Sequence, residues 1–167
     1  MATDTGTDTG KLLSILVNAY TGALISVSRT VGIDAEFVKA EISHGINAPG
    51  SRVAALIGIV GGTVHSTASL MADLPAFEAY VAAFTGGMVK ADIDDPMSMS
   101  VIGELTNMIS GQALIKADVP NLDITPPQML SGENLKAIPP KKAGVKSFTL
   151  PFSVGGGKLF LILSVHG

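Results

Sequence analysis

From residue 101 to residue 111 the chain reads Val-Ile-Gly-Glu-Leu-Thr-Asn-Met-Ile-Ser-Gly. Just upstream, Asp92-Ile-Asp-Asp-Pro96 supplies a helix start, with Asp95 as N-cap and Pro96 at the first helical position. The spacing predicts a helix from Pro96 to about Lys116. Its core stripe is Val101/Ile102, Leu105, Ile109 and Ala113, and Glu104, Asn107 and Gly111 share another stripe. A carboxylate and a carboxamide three residues apart on a helix point to the same side. Held there, they can position a water or grip a charged partner. Met108 stands four residues after Glu104, so the carboxylate has no cationic neighbour one turn on. Gly103 and Gly111 each lower helix propensity by roughly 1 kcal/mol relative to Ala. That cost makes sense where another backbone or a partner must come close.

Outward from this helix the pattern is mixed. Lys11 to about Val31 carries Leu12, Leu13, Leu16, Val17, Tyr20, Leu24 and Val27 at helical spacing, with Gly32 as C-cap. Asp34 to Ile46 reads as a strand or as irregular chain. Arg52–Val60 and Thr63–Ser69 form a hairpin across Gly61-Gly62. Leu74 to about Phe84 is a short helix with Pro75 in its first turn, ended by Gly86-Gly87. Asp118 to Pro140 is loop-like, with a short extended piece around Ile124. Lys141-Lys142-Ala-Gly is a turn. Lys146–Val154 and Lys158–Val165 are two apolar strands across Gly155-Gly-Gly157, expected at the centre of a sheet.

The order repeats. Asn18-Ala-Tyr-Thr-Gly echoes Asn107-Met-Ile-Ser-Gly, and Leu precedes each Asn by two positions. In each half a long helix comes first and a Gly-turned hairpin later. A duplicated helix–strand–strand unit with pseudo-twofold symmetry is one reading, and a chance echo is the other. Ile15 stands where Glu104 stands, so under a duplication the second copy alone has the polar pair.

Composition sets outer bounds. The 167 residues suggest one domain, residues 11–167, after a disordered tail at 1–10. Aromatic residues are 5% and Trp is absent, so the core is aliphatic. Charged residues are 15%, low enough to expect part of the surface to be covered in an oligomer. A net charge of −3 gives no broad attraction to nucleic acid. The absence of Cys excludes disulfides and thiol chemistry and fits a cytoplasmic location. Mean hydropathy is +0.45, but the most apolar run, Val53–Val64, is too short to span a membrane. His44, His65 and His166 are scattered and expected to be structural or exposed. Asp92, Asp94 and Asp95 are explained as capping residues, and Gly155–Gly157 as a turn. No metal site of the chain's own is expected. Met97, Met99 and Met108 near the motif read as core or partner surface.

The stretch Gly103-Glu-Leu-Thr-Asn-Met-Ile-Ser-Gly111 resembles the signature of the CheC/CheX/FliY phosphatases of bacterial chemotaxis, and most of all the CheX branch. Asn18, Ile124-Thr-Pro-Pro127 with Gly132, and the Gly-turned C-terminal strands extend the resemblance loosely over nearly the whole chain. It implies an α/β (α+β) fold, with a mainly antiparallel sheet and two long helices on one face presenting the site. It also implies hydrolysis of the aspartyl phosphate of a CheY-type receiver domain. Asn107 would orient the attacking water, Glu104 would dock a receiver lysine, and the receiver would supply the Mg2+. Ile15 implies a single site. Family members dimerise by pairing or exchanging strands, so a homodimer is expected. Two rival readings stand beside this one: a non-catalytic adaptor that docks on a receiver, and a structural dimer that buries Glu104 and Asn107.

Overall fold

The computed structural model describes all residues except 1–4, 62–63, 134, 136–144 and 167, and no side chains at 5–9 and 64. The predicted Lys141-Lys142 turn, and Gly62 of the first hairpin turn, lie outside the described residues.

Helix α1 spans Thr5–Thr30 and so takes in Thr5–Gly10, which the sequence reading assigned to the tail. It ends in a Schellman motif, with Ile33 N–H donating to the Ser28 carbonyl and Gly32 N–H to that of Arg29. Gly32 there takes a φ of 84°, where a side chain would be strained. The ambiguous stretch 34–46 resolves into strand β1 (Glu36–Phe37), one 3-10 turn (Lys39–Glu41) and strand β2 (Ser43–His44). Hairpin β3–β4 (Val53–Gly61, Val64–Ala72) follows, then α2 (Leu74–Thr85) and α3 (Pro96–Ala117). Strands β5 (Asp123–Ile124) and β6 (Gln128–Ser131) precede hairpin β7–β8 (Val145–Val154, Gly157–His166). That hairpin turns on Gly155-Gly156, both at positive φ, as a two-residue type I′ turn requires.

All pairings are antiparallel, in the order β1-β7-β8-β4-β3-β5, with β2 also on β7 and β6 also on β3. The pseudo-twofold is plain in this order. The short strands after α1 pair with the second hairpin, and the short strands after α3 pair with the first. At the centre Ser69 faces Ile162, each the sixth residue of its own return strand, so the local axis passes between them.

One buried cluster unites the helices with a single face of the sheet, from Leu13, Leu16, Tyr20 and Leu24 through Phe77 and Tyr80 to Leu105, Ile109 and Leu161. Among these residues, alternation along each strand puts every second side chain under the helices. By length and mean hydropathy (1.4) Gly10–Thr30 could cross a membrane. Its apolar stripe, Leu16, Tyr20, Ala23, Leu24 and Val27, is instead fully buried in the domain core. The opposite face of the sheet holds a smaller cluster, Ala54, Met71, Phe160 and Ile162.

Two buried hydroxyl pairs tie the helices together: Tyr20 to Ser110 (2.8 Å) across α1 and α3, and Tyr80 to Ser28 (2.6 Å) across α2 and α1. Burial pushes each phenol from 10 up to about 12, and the serine hydrogen bond offsets part of the rise. Below pH 10 both states keep these protons. Between pH 10 and 12 the unfolded chain loses them while the folded chain holds them, so stability falls. The expected slope is up to about 2.7 kcal/mol per pH unit for the two tyrosines together. Urea midpoints measured from pH 9 to 11.5 will show it, and the double variant Tyr20→Phe/Tyr80→Phe will flatten it.

Candidate functional site

Helix α3 starts where the sequence says it should. Asp95 caps it through a hydrogen bond from Met97 N–H (3.1 Å), and Pro96 occupies the first turn. Asp92 accepts from Asp94 N–H (2.9 Å), so both carboxylates serve the turn that launches the helix. The predicted core stripe is buried as expected: Val101, Ile102, Leu105, Ile109 and Ala113 all face inward. Its inner polar groups are satisfied. Thr106 donates to the Ile102 carbonyl (2.7 Å), and Ser110 accepts from Tyr20.

Glu104 and Asn107 are placed differently. Both are exposed, one turn apart, on the outer side of α3. Among the described residues the single ion pair is Lys158–Glu41, so the Glu104 carboxylate has no cationic partner there. Opposite the pair stands the β5–β6 connection. Glu104, Asn107, Ile124, Thr125, Pro126 and Pro127 line an open cleft of about 340 Å³. In sequence, Ile124-Thr-Pro-Pro127 carries no role beyond the resemblance; its two adjacent prolines are the available signal for a fixed wall. Strand β6 itself was missed, because Gln128–Ser131 is exposed throughout and owes its shape to the edge of β3.

The two helix glycines do different things. A Cβ on Gly103 would lie 2.7 Å from the Met129 sulfur, so this glycine admits β6 against α3. Among the described residues nothing lies within 4 Å of a Cβ on Gly111, so they leave the surface beyond Asn107 open. Met97 is largely exposed on the same line of α3 as Glu104, Met108 is half-buried, and Met99 is in the core. In α1 the equivalent positions hold Ile15, half-buried, and Asn18, exposed. The first half therefore keeps the amide and lacks the carboxylate.

A larger cavity, about 740 Å³, lies elsewhere, between α1, β2 and β7, and is mainly apolar. The polar pair does not open into it. A shallow cleft beside two exposed polar groups suits a macromolecular partner better than a small enclosed ligand. Among the described residues no three His, Asp or Glu side chains converge as a metal site. His44 packs on Phe148 (ring centroids 4.4 Å apart), and His65 faces His166 across β4 and β8.

Comparison with known proteins gives the same family as the motif. Residues 53–153 match the family described as "Chemotaxis phosphatase CheX", a span that includes Glu104, Asn107 and the Pro126-Pro127 wall. The CheY-P phosphatase CheX of Thermotoga maritima is 35% identical over 146 residues, covering 83% of this chain and 87% of that protein. In fold, the chain is similar to the chemotaxis protein CheX of Vibrio vulnificus, with a TM-score of 0.72, 23% identity, and coverage of 90% of this chain and 99% of that one. It is also similar to CheX in the CheX–CheY–BeF3–Mg2+ complex of Borrelia burgdorferi, with a TM-score of 0.66, 18% identity, and coverage of 90% and 97%. The chain belongs to the CheX family of chemotaxis phosphatases.

Proposed function

We propose that this chain hydrolyses the aspartyl phosphate of a CheY-type receiver domain, with Asn107 orienting the attacking water and Glu104 docking a receiver lysine. The observation that carries the reading is the exposed Glu104–Asn107 pair, on a rigid helix beside an open cleft, in a chain of this family. Its Thermotoga relative is named for CheY-P, and its Borrelia neighbour is in complex with CheY, BeF3 and Mg2+.

The chemistry asks little of this chain beyond position. A water oxygen bonds to phosphorus as the bond from phosphorus to the aspartyl oxygen breaks. The carboxylate leaves as an anion, and the water's proton goes to the phosphate released. The Asn107 amide is uncharged, so it approaches a phosphoryl group without repulsion. Its oxygen accepts from the water and its NH2 donates to a phosphoryl oxygen. Holding that water in line is a sufficient contribution to phosphoryl transfer. Mg2+ is the receiver's, since Glu104 alone is a poor match for a cation that demands several oxygen ligands. Met97 and Ile115, both exposed, lie on the Glu104 line of α3 and offer the partner apolar contact on either side of the pair.

The reading includes action in the cytoplasm and a homodimer. Strand β8 is paired on both sides, by β7 and β4, and the β1/β2 and β5/β6 edges are the ones this sheet offers for strand pairing between copies.

Phosphate release from the receiver domains of the source organism tests the proposal. Acceleration of one receiver supports it. Phosphorylation-sensitive binding without acceleration makes the chain an adaptor instead. With the cognate receiver, Glu104→Ala is expected to raise KM about tenfold with a smaller change in kcat, as loss of a docking ion pair does. A parental KM in that variant would remove Glu104 from docking.

A further inference from the structure

The cleft wall is held between the β5 and β6 pairings on β3, and on the β5 side one side-chain contact adds to the backbone ladder. Thr125 meets Gly58 of β3 twice: Thr125 N–H donates to the Gly58 carbonyl (2.9 Å), and Gly58 N–H donates to the Thr125 hydroxyl oxygen (2.8 Å). The same hydroxyl lies 3.4 Å from the Pro126 carbonyl oxygen and can donate to it. Gly58 leaves room for this contact, since a Cβ there would sit 3.1 Å from Thr125 Cγ2 and 3.2 Å from its Oγ1. Beyond Thr125 the register slips. Ile59 faces Ile124 and Leu56 faces Gln128, so Pro126 and Pro127 together oppose the single residue Ile57. This is a bulge, and it turns the two prolines toward Glu104 and Asn107. Proline has no N–H, so neither bulged residue can donate a ladder bond to β3. Thr125 is the last anchor before them.

The pseudo-twofold provides an internal control. In the first half the matching contact is β1 on β7, where Phe37 faces Phe152 and Val38 N–H donates to the Pro151 carbonyl (2.9 Å). Val38 stands where Thr125 stands, and Pro151 where Gly58 stands. Pro151 has no N–H to give and Val38 no hydroxyl to receive it. The chain there continues into the 3-10 turn Lys39–Glu41 in place of a proline bulge. The second hydrogen bond and the Pro-Pro wall occur in the half that carries the Glu104–Asn107 pair and are absent from the half that has Ile15.

We infer that Thr125, through its hydroxyl on Gly58, is a positioning residue that fixes the Pro126-Pro127 wall at the distance from Asn107 that the reaction uses. The inference rests on the phosphatase reading for its kinetic consequence. Thr125→Val keeps the shape and the backbone bond but removes the acceptor, while Thr125→Ser keeps the hydroxyl. With the cognate phosphorylated receiver, Thr125→Val is expected to lower kcat five- to tenfold at near-parental KM, with circular dichroism unchanged, and Thr125→Ser to restore most of it. In solution NMR of the free chain, Thr125→Val should speed exchange of the Gly58 amide and shift the Asn107 side-chain amide resonances. Parental kcat in Thr125→Val, or equal loss in Thr125→Ser, overturns the inference. If the parental chain accelerates no receiver, the phosphatase reading fails and the NMR measurement alone decides. Unmoved Gly58 exchange and Asn107 resonances then overturn the positioning role.

Discussion

Asn107→Ala is expected to abolish the chain's acceleration of phosphate loss from its receiver, lowering kcat on the order of 100-fold or more. That is the scale on which a single misplaced or missing polar group acts in a preorganised site. The fold should be unaffected. Asn107 is exposed, and Ala is the better helix former, so the melting temperature should stay level or rise slightly. Binding of the phosphorylated receiver should also persist, because Glu104 and the exposed apolar residues of α3 remain. The loss is thus expected in kcat with KM little changed, opposite to Glu104→Ala. Asn107→Asp sharpens the test. It keeps the size but adds a negative charge facing the phosphoryl group, and should be as inactive as the alanine variant. An Asn107→Ala protein with parental turnover would sink the assignment of the water-orienting role.

Leu105→Ala should produce a large stability loss, in contrast to its exposed neighbours Glu104 and Asn107. Leu105 is fully buried between Glu104 and Thr106, within the cluster that joins α3 to α1 and the sheet. Removing a buried leucine side chain costs about 2–5 kcal/mol, from lost transfer energy and the cavity left behind. For a domain of this size that corresponds to a fall in melting temperature of roughly 10 °C. Glu104 and Asn107 project from the other side of α3, so turnover well below the new melting temperature should be retained. Thermal melts and low-temperature assays measured together separate the two faces of one helix. A melting temperature within a degree or two of the parent would show that the stripe is not core.

Much of this molecule was legible because its signals are local. Asp95-Pro96 and the stripe from Val101 to Ala113 define α3 from adjacent residues. Gly155-Gly156 defines the turn of the second hairpin, and Gly86 the end of α2. The Glu104–Asn107 pair followed from helical spacing and from the family resemblance. Strand β6 and the two strands within residues 34–46 were not legible as such. They are two to four residues long, carry no alternation of their own, and exist because β3 and β7 present unpaired edges. The repeat was an echo of a few residues in the sequence. In the sheet it becomes a relation between strands far apart in the chain, centred on Ser69 and Ile162.

The sequence by itself determined the polar pair, its place on a capped helix and its absence from the first helix, since these depend on residue identity and the period of 3.6. The tertiary structure alone decided what faces the pair. The Pro126-Pro127 wall comes from a loop that the sequence leaves open. It is set against Asn107 because β5 and β6 both pair with β3, and because Thr125 finds an N–H at Gly58, 67 positions away in the chain. A spacing rule cannot express that contact. It arises when the fold brings two distant backbones together, with a side chain on one and none on the other.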